Sequence, residues 1–447
     1  MAGIINLLIF IALNGALVSF MFRYSAKLKN PLNSKRYLTL EGTEMFFVIL
    51  FATGTLALSS SGGGSGVGSG FNLQAIRLFL LEILLVWVLF FTSHGPKMGI
   101  GTVLYIIYML WLLYSMTYSQ AGQFGFRYIL KYIYPLLIML SASAIVRDQE
   151  VFLGCLVWAR RLAIASQLVF LIPGVNILFA SAFWYGTALN IHYVSITCIS
   201  LGLYFFYGRD WKDLALAALF VLPCIAMVHR TGLMAIFAAM AVFFFMKFKW
   251  ISLPYIAGVL GIGLAIVFYV PSFHDKMFWK DTENTLTIQD LREGNISEDD
   301  IRNNGREAAW ALLEGMFFKG KELKGSGIGS CQKFLYEQPG MVKQTHGDYV
   351  QMRCDTGLIG MWLYIAIAIG VVIHCFIESV RPSNPEYIKC CAMIAAGAIV
   401  GNYFAMYSDN AVTYTMCTTS YPFAIYGMML GMKAKISEMP IVRKGRR

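Results

Sequence analysis

The stretch KQTHGDYVQMRCDTGLIGMW, which begins at Lys343, places His346, Asp348, Tyr349, Arg353 and Asp355 directly before a long apolar run. An imidazole takes up a proton near neutral pH, and a guanidinium offers a planar fork to two phosphate oxygens. Two further arginines stand where charge is expensive or deliberate. Arg230, in AMVHRTGLMAIF, lies between apolar blocks, where a cation costs on the order of several kcal/mol unless it meets a cavity or a ligand. Arg306 opens GREAAWALLEGMFF, in which Arg306, Trp310, Leu313 and Phe317 recur at helical spacing. Two arginines and a histidine together suit a phosphate leaving group and a hydroxyl nucleophile. Each also has a plainer reading: Arg230 snorkelling to an interface, Arg306 solvated in a loop, His346 capping the next helix.

Composition says what must hold these residues. Of 447 residues, 57% are hydrophobic and 14% charged, against roughly a quarter charged in soluble domains. The apolar residues fall in blocks of about 17 to 25, the length a helix needs to cross a bilayer. The expected fold is all-α: a polytopic transmembrane helical bundle of about 12 to 14 spans, forming a single integral-membrane domain over residues 1–447. Spans are expected near 3–22, 43–59, 76–93, 99–118, 127–146, 162–180, 191–207, 213–229, 231–247, 251–270, 356–378, 388–407 and 413–432. VFLGCLVWA, before Arg160 and Arg161, is too short to cross and is expected along the inner interface. Met1–Asn6 lacks a basic region, so the first span is expected to stay.

Lysine and arginine set the orientation. Clusters around Arg23–Arg36, Arg147, Arg160–Arg161, Arg209–Lys212, Lys247–Lys249, Arg381 and the tail from Lys433 fall on one face, expected to be cytoplasmic together with the C-terminus. An odd number of spans puts the N-terminus outside. The net charge of +11 is this bias, and it points to anionic lipid rather than nucleic acid.

The other face carries one large, partly helical periplasmic loop, residues 271–345, with twelve acidic residues alongside ten Lys and Arg. A loop of that length is expected to be functional. Its KGSGIGS is a turn that lets backbone pass close to something, without the spacing of a nucleotide loop. Ser59–Gly70 reads as a flexible linker. The nine cysteines read as small buried residues, although Cys331 and Cys354 could pair; no spacing suggests a metal. Only His346, of six histidines, stands in a polar cluster; His94, His192, His229, His274 and His374 read as interfacial or core residues. Glu82 is a lone mid-span acid that needs an internal partner. Arg127 and Lys131, one turn apart at a span end, are explained by snorkelling and are also candidates for substrate contact.

THGDYVQMRCDTGLIG resembles the signature of the O-antigen ligase and O-antigen polymerase superfamily, a histidine, an aromatic and an acid with spaced glycines entering a span. HRTGLMAI resembles its arginine hairpin, GREAAWALLEGMFFKGKELKGSGIGS its Arg-x-x-x-Trp segment, and GTALNIHYVSI its asparagine turn. The resemblance covers about 180–365 in the right order. It implies a metal-independent glycosyltransferase without cofactor in a bacterial inner membrane, working on lipid-linked saccharide at the outer leaflet. Arg230 and Arg306 would hold the diphosphate of an undecaprenyl-diphosphate-linked oligosaccharide, and His346 would deprotonate the acceptor. Asn190, Trp310, Asp348 and Tyr349, with Arg127 and Lys131, are the substrate-binding candidates. Asp348 and Asp355 read either as orienting groups or as helix N-terminal acids, the latter preferred for Asp355. Gly347 and His229 depart from the pattern, where Asn or Ser and Ser are common. A polymerase is expected ahead of a ligase that transfers to lipid A core; a chain-length regulator and a flippase of the same pathway are possible partners. A flippase or secondary transporter remains the alternative of another class, although no internal repeat is visible.

Overall fold

The computed structural model describes residues 2–30, 35–54, 73–171, 187–208, 210–278, 289, 293, 306–338 and 344–438. The Ser59–Gly70 linker, the far end of the sixth expected span and most of the large loop between 279 and 305 lie outside them.

The protein is an all-α polytopic bundle. After α1 (Ala2–Met21) the chain makes a hairpin, β1 (Ser25–Lys29) antiparallel to β2 (Tyr37–Glu41), in the register Ala26 to Leu40 and Leu28 to Leu38. These four side chains are buried while Lys27 and Lys29 face outward, so the first basic cluster is displayed by strand alternation. This hairpin was not among the expected elements. Then come α2 (Gly42–Thr53), α3 (Leu73–Phe91), α4 (Ile100–Met116), α5 (Gln123–Ile145), α6 (Gln149–Leu171) and α7 (Thr187–Leu203), the last running into a π turn. Two short helices follow, α8 (Trp211–Leu219) and α9 (Leu222–Ala226), then α10 (Arg230–Phe248), α11 (Leu253–Tyr269) and α12 (Pro271–Met277). The large loop contributes α13 (Arg306–Phe317) and α14 (Ser330–Glu337). The bundle ends with α15 (Asp348–Val380), α16 (Glu386–Ala405) and α17 (Ser420–Glu438).

Among the described residues, five helical stretches are long and apolar enough to cross a membrane: Gln123–Ile145, Asn190–Gly208, Arg230–Tyr269, Asp348–Val380 and Glu386–Ala405. Two expected boundaries differ. VFLGCLVWA is not separate from the sixth span; it is the first half of the continuous helix α6, its apolar side chains buried against α2 and α7. The expected span 213–229 is broken into α8 and α9 at Pro223, which suits a first helical turn but not an interior.

Small residues set the tightest helix pairs, as they do where lipid offers no hydrophobic drive between helices. Gly397 and Gly401 of α16 lie against backbone carbonyls of Ala239 and Ala235 in α10. Gly427 and Gly431 of α17 lie in the same way against Met139, Ser143 and Val146 at the end of α5. One end of the bundle is tied by ions: Arg147 and Lys97 pair with Glu438, Lys435 with Asp148, and Lys433 and Arg381 with Glu378. Arg160 of α6 pairs with Asp213 at the start of α8. Glu82 is buried beside an apolar groove it shares with Val86, Phe90 and Ile133, and its Oε1 meets no donor among the described residues.

Candidate functional site

The backbone from Thr345 to Asp348 makes a constrained corner at the start of α15. His346 has φ 49°, a left-handed conformation that costs a non-glycine residue on the order of 1–3 kcal/mol and persists only where neighbours fix it. Trp310, one turn into α13, is one such neighbour. Its indole Nε1 donates to the buried Thr345 carbonyl at 2.7 Å, and its ring covers Gly347 so closely that a Cβ there would lie 3.0 Å from it. Gly347 is thus the residue that gives the indole room, which accounts for its departure from the Asn or Ser expected there. Arg353 of α15 pairs with Glu314 of α13 and joins the two helices below the corner.

The loop after α16 organises the site. The backbone N–H of Asp348 donates to the Met406 carbonyl at 2.9 Å, and its carboxylate accepts from the Val412 N–H at 3.0 Å. Between those anchors run Ser408, Asp409 and Asn410, each bound to a different part of the chain. The Ser408 carbonyl accepts from Arg306 Nη1 at 2.6 Å, and its hydroxyl meets Thr231, the neighbour of Arg230, at 2.6 Å. Asp409 is buried and faces His229 Nε2 at 3.1 Å. Because His229 Nδ1 accepts from the Gly232 N–H at 2.9 Å, its Nε2 carries the proton and donates to that carboxylate. His229 thereby caps α10 and pins Asp409. Asn410 accepts from the Thr345 hydroxyl at 3.2 Å, while its amide nitrogen lies 3.0 Å from Gln344 Oε1 and 3.4 Å from His346 Nδ1.

Three segments far apart in sequence therefore meet at one loop: the hairpin before α10, the start of α13, and the corner before α15. Arg230 is half-buried and its Nη1 meets Met277 Sδ of α12 at 3.4 Å. Beside Met277, the Lys276 ammonium donates to the Val228 carbonyl at 2.8 Å. Burial, then the charges of Arg230 and Arg306, push the Lys276 pKa down. His346 is also pushed down, by burial first and the Arg306 charge second, against the opposing pull of Asp409. Its ring is accordingly held neutral at pH 7. Neutral imidazole beside a cationic group is an arrangement able to accept a proton from a hydroxyl while the cation holds an anion.

The other candidates take distinct places. Asn190 is buried beneath the hairpin, its Cβ 3.1 Å from where a Cβ on Gly232 would stand and its amide 3.9 Å from Met227 Sδ. Tyr349 points away from the corner and donates to the Tyr403 carbonyl at 2.8 Å, binding α15 to α16. Lys131 lies over the Tyr128 ring at 4.6 Å and is an electrostatic neighbour of Asp348, one layer beneath the corner. The Tyr128 hydroxyl in turn reaches Gln332 and Gln351 at 3.1 and 3.2 Å. Arg127 sits 5.9 Å from the Phe124 ring centre near the start of α5. Asp355 accepts from the Gly329 and Cys331 N–H groups, both at 2.9 Å, and caps α14. There α15 is broken at Gly357 (φ 71°), and the glycine-rich turn fills the break: Ser326 and Gly327 donate to the Cys354 and Asp355 carbonyls, Leu358 to Glu322. The backbone that KGSGIGS approaches is thus a helix of the same chain. Cys331 and Cys354 are free and buried together with Leu313 and Leu335.

Sequence reasoning passed over Ser408, Asp409, Asn410, Lys276 and the part played by His229. The signal for the loop was available: YSDNAVTYT sets three consecutive polar side chains, Ser408, Asp409 and Asn410, between apolar spans. Among the described residues, no three His, Cys, Asp or Glu side chains gather to hold a metal ion.

Residues 214–365 match the model of a family described as O-antigen ligase. The match includes Arg230, Lys276, Arg306, Trp310, His346 and Asp348, and it ends before the Ser408–Asn410 loop that joins them. No curated protein matches the chain. That matched stretch, about a third of the chain, is what the protein has in similarity to the O-antigen ligase family.

Proposed function

We propose that the protein is a surface-polysaccharide polymerase, which transfers a glycan from undecaprenyl diphosphate to a hydroxyl of another lipid-linked repeat unit. The observation that carries this reading is the Ser408–Asn410 loop, to which the Arg230 hairpin, Arg306 and His346 are all fastened. Arg230 and Arg306 bind the diphosphate oxygens through their planar forks. They supply the positive field that a divalent ion would otherwise provide as charge develops on the leaving group. His346 takes the proton of the acceptor hydroxyl, whose oxygen attacks the anomeric carbon from the face opposite the diphosphate. The anomeric C–O bond breaks, and its electron pair leaves with the phosphate oxygen.

For His346 to act as base, Nε2 must be bare and Nδ1 must carry the proton. A half-turn of the Asn410 amide gives Nδ1–H an oxygen to donate to, with Gln344 turning in step. Asn410 thus serves as the residue that sets the imidazole's tautomer, as its position 3.4 Å from Nδ1 allows.

The distribution of basic residues supports an inner-membrane protein with Arg147, Arg381 and the C-terminus in the cytoplasm and the site in the periplasm. There it would work beside a flippase that delivers the donor and a regulator of chain length. The description of the matched family favours a second reading, transfer to lipid A core by a ligase. Expression in polymerase-null and ligase-null strains separates the two. Long-chain polysaccharide returning only in the polymerase-null strain supports the first reading, and only in the ligase-null strain the second. With purified protein and lipid-linked donor, His346→Ala should abolish glycan transfer without loss of fold. A wild-type protein that makes no glycosidic bond, or a His346→Ala protein at full rate, overturns the enzyme reading.

A further inference from the structure

Lys276 belongs to no motif that pointed to this site, yet α12 delivers it there. Its ammonium is fixed by the Val228 carbonyl at 2.8 Å, two residues before Arg230, and the next residue, Met277, touches Arg230 itself at 3.4 Å. Val228 has φ 51°, so the corner that presents this carbonyl is itself a constrained one. The side chain is exposed and within electrostatic range of both Arg230 and Arg306. Three cations from three segments therefore share one region, at a cost in mutual repulsion that an anionic ligand offsets.

The chemistry of the proposed reaction asks for a third cation at one moment. A sugar-linked polyprenyl diphosphate bears one negative charge on each phosphorus, a number that Arg230 and Arg306 match. When the anomeric C–O bond breaks, its electron pair remains on the sugar-side phosphate oxygen, and the leaving group gains a further negative charge. The acceptor oxygen forms the new bond, and its proton passes to His346.

We infer that Lys276 binds the sugar-side phosphate oxygen of the departing polyprenyl diphosphate, and so stabilises the transition state and the product more than the intact donor. This assignment rests on the diphosphate reading of the site. A lysine suits the role because its compact, mobile ammonium follows a single oxygen, where a guanidinium fork grips two. A group that acts only as charge develops raises kcat and leaves donor binding unchanged.

The test uses the full-length protein in lipid nanodiscs, with steady-state transfer from lipid-linked donor and calorimetric binding of undecaprenyl diphosphate. Lys276→Gln retains an N–H for the Val228 carbonyl and loses the charge; Lys276→Arg retains the charge. Lys276→Gln is expected to lower kcat by roughly ten- to a hundredfold with KM unchanged, and to weaken undecaprenyl diphosphate by a similar factor. Lys276→Arg should restore most of both. A Lys276→Gln protein that raises KM alone, or changes neither constant, overturns the inference, as does failure of a folded Lys276→Arg protein to recover. Arg306→Ala separates the two levels. If Arg306→Ala binds undecaprenyl diphosphate at wild-type strength, the diphosphate reading itself falls. If Arg306→Ala loses the ligand while Lys276→Gln keeps it, only the role of Lys276 falls.

Discussion

The His346 corner is held by few contacts, and Trp310→Phe removes one of them cleanly. Phenylalanine keeps an aromatic ring over Gly347 but has no N–H for the Thr345 carbonyl, which accepts from Trp310 Nε1 at 2.7 Å in a site only 3% exposed. A buried acceptor left without a donor costs about 1–3 kcal/mol. That is comparable to the strain of the left-handed His346 backbone which the contact helps to retain. The cost falls on the corner conformation, since Leu313 and Phe317 continue to seat α13 against α14 and α15. If the imidazole is productive only in that conformation, kcat should fall by roughly five- to 150-fold. The melting temperature should move little, because the bundle does not depend on the corner. The assay is transfer from lipid-linked donor in nanodiscs, paired with thermal unfolding of the same sample. A Trp310→Phe protein at wild-type kcat would refute the argument that the indole fixes the histidine, and so would a large loss of stability with kcat unchanged.

Other consequences follow from the same contacts. Burial and Arg306 hold the His346 pKa below its ordinary value, so the folded protein takes up that proton later than the unfolded chain as pH falls. Activity should therefore persist below about pH 6.5 before its acid limb begins, and the same group should destabilise the fold below that pH; Asp409→Asn, which removes the opposing charge, should move the limb lower still. A limb that begins well above pH 7 would contradict this assignment. Asp355→Ala strands the Gly329 and Cys331 N–H groups and should cost roughly 2–4 kcal/mol in thermal unfolding, with transfer per folded molecule retained. Gly401→Leu places a side chain where even a Cβ would stand 2.6 Å from the Ala235 carbonyl. It should part α10 from α16 and yield aggregated protein on size-exclusion chromatography; a monodisperse, active Gly401→Leu protein would show that this contact does not govern the pair.

Much of the fold was legible because lipid allows few solutions. A run of apolar residues long enough to cross must be helical, and most helices coincide with the runs that composition marked. Where the reading slipped, local context overrode length. VFLGCLVWA is too short to span, but nothing stops it from extending into the next run, so α6 is continuous. Pro223 divides a run that hydropathy alone joins. The helical spacing of Arg306, Trp310, Leu313 and Phe317 foretold α13, with Leu313 fully buried.

The site was legible only in part, for a different reason. Arg230 stood out because charge between apolar spans is costly, Arg306 because it opens an amphipathic stretch, and His346 because it stands in a polar cluster before a span. The Ser408–Asn410 loop that joins them is made of ordinary turn residues, and a Ser-Asp-Asn run between helices reads as punctuation. Its importance lies in hydrogen bonds to residues more than a hundred positions away, such as Thr231 and Arg306, which no periodicity encodes. His229 read as an interfacial residue because its partner, Asp409, belongs to that loop. The glycine-rich turn was rightly marked for close backbone approach, but the backbone it approaches is the break at Gly357, a non-local contact as well.

The most direct test is a cryo-electron microscopy map of the His346→Ala protein in nanodiscs with its undecaprenyl-diphosphate-linked donor bound. Phosphate density is expected between the Arg230 and Arg306 guanidinium groups, with the anomeric carbon turned toward the position of the missing imidazole. Phosphate density elsewhere on the protein, or arginine side chains that reach no common ligand, would contradict the proposed site.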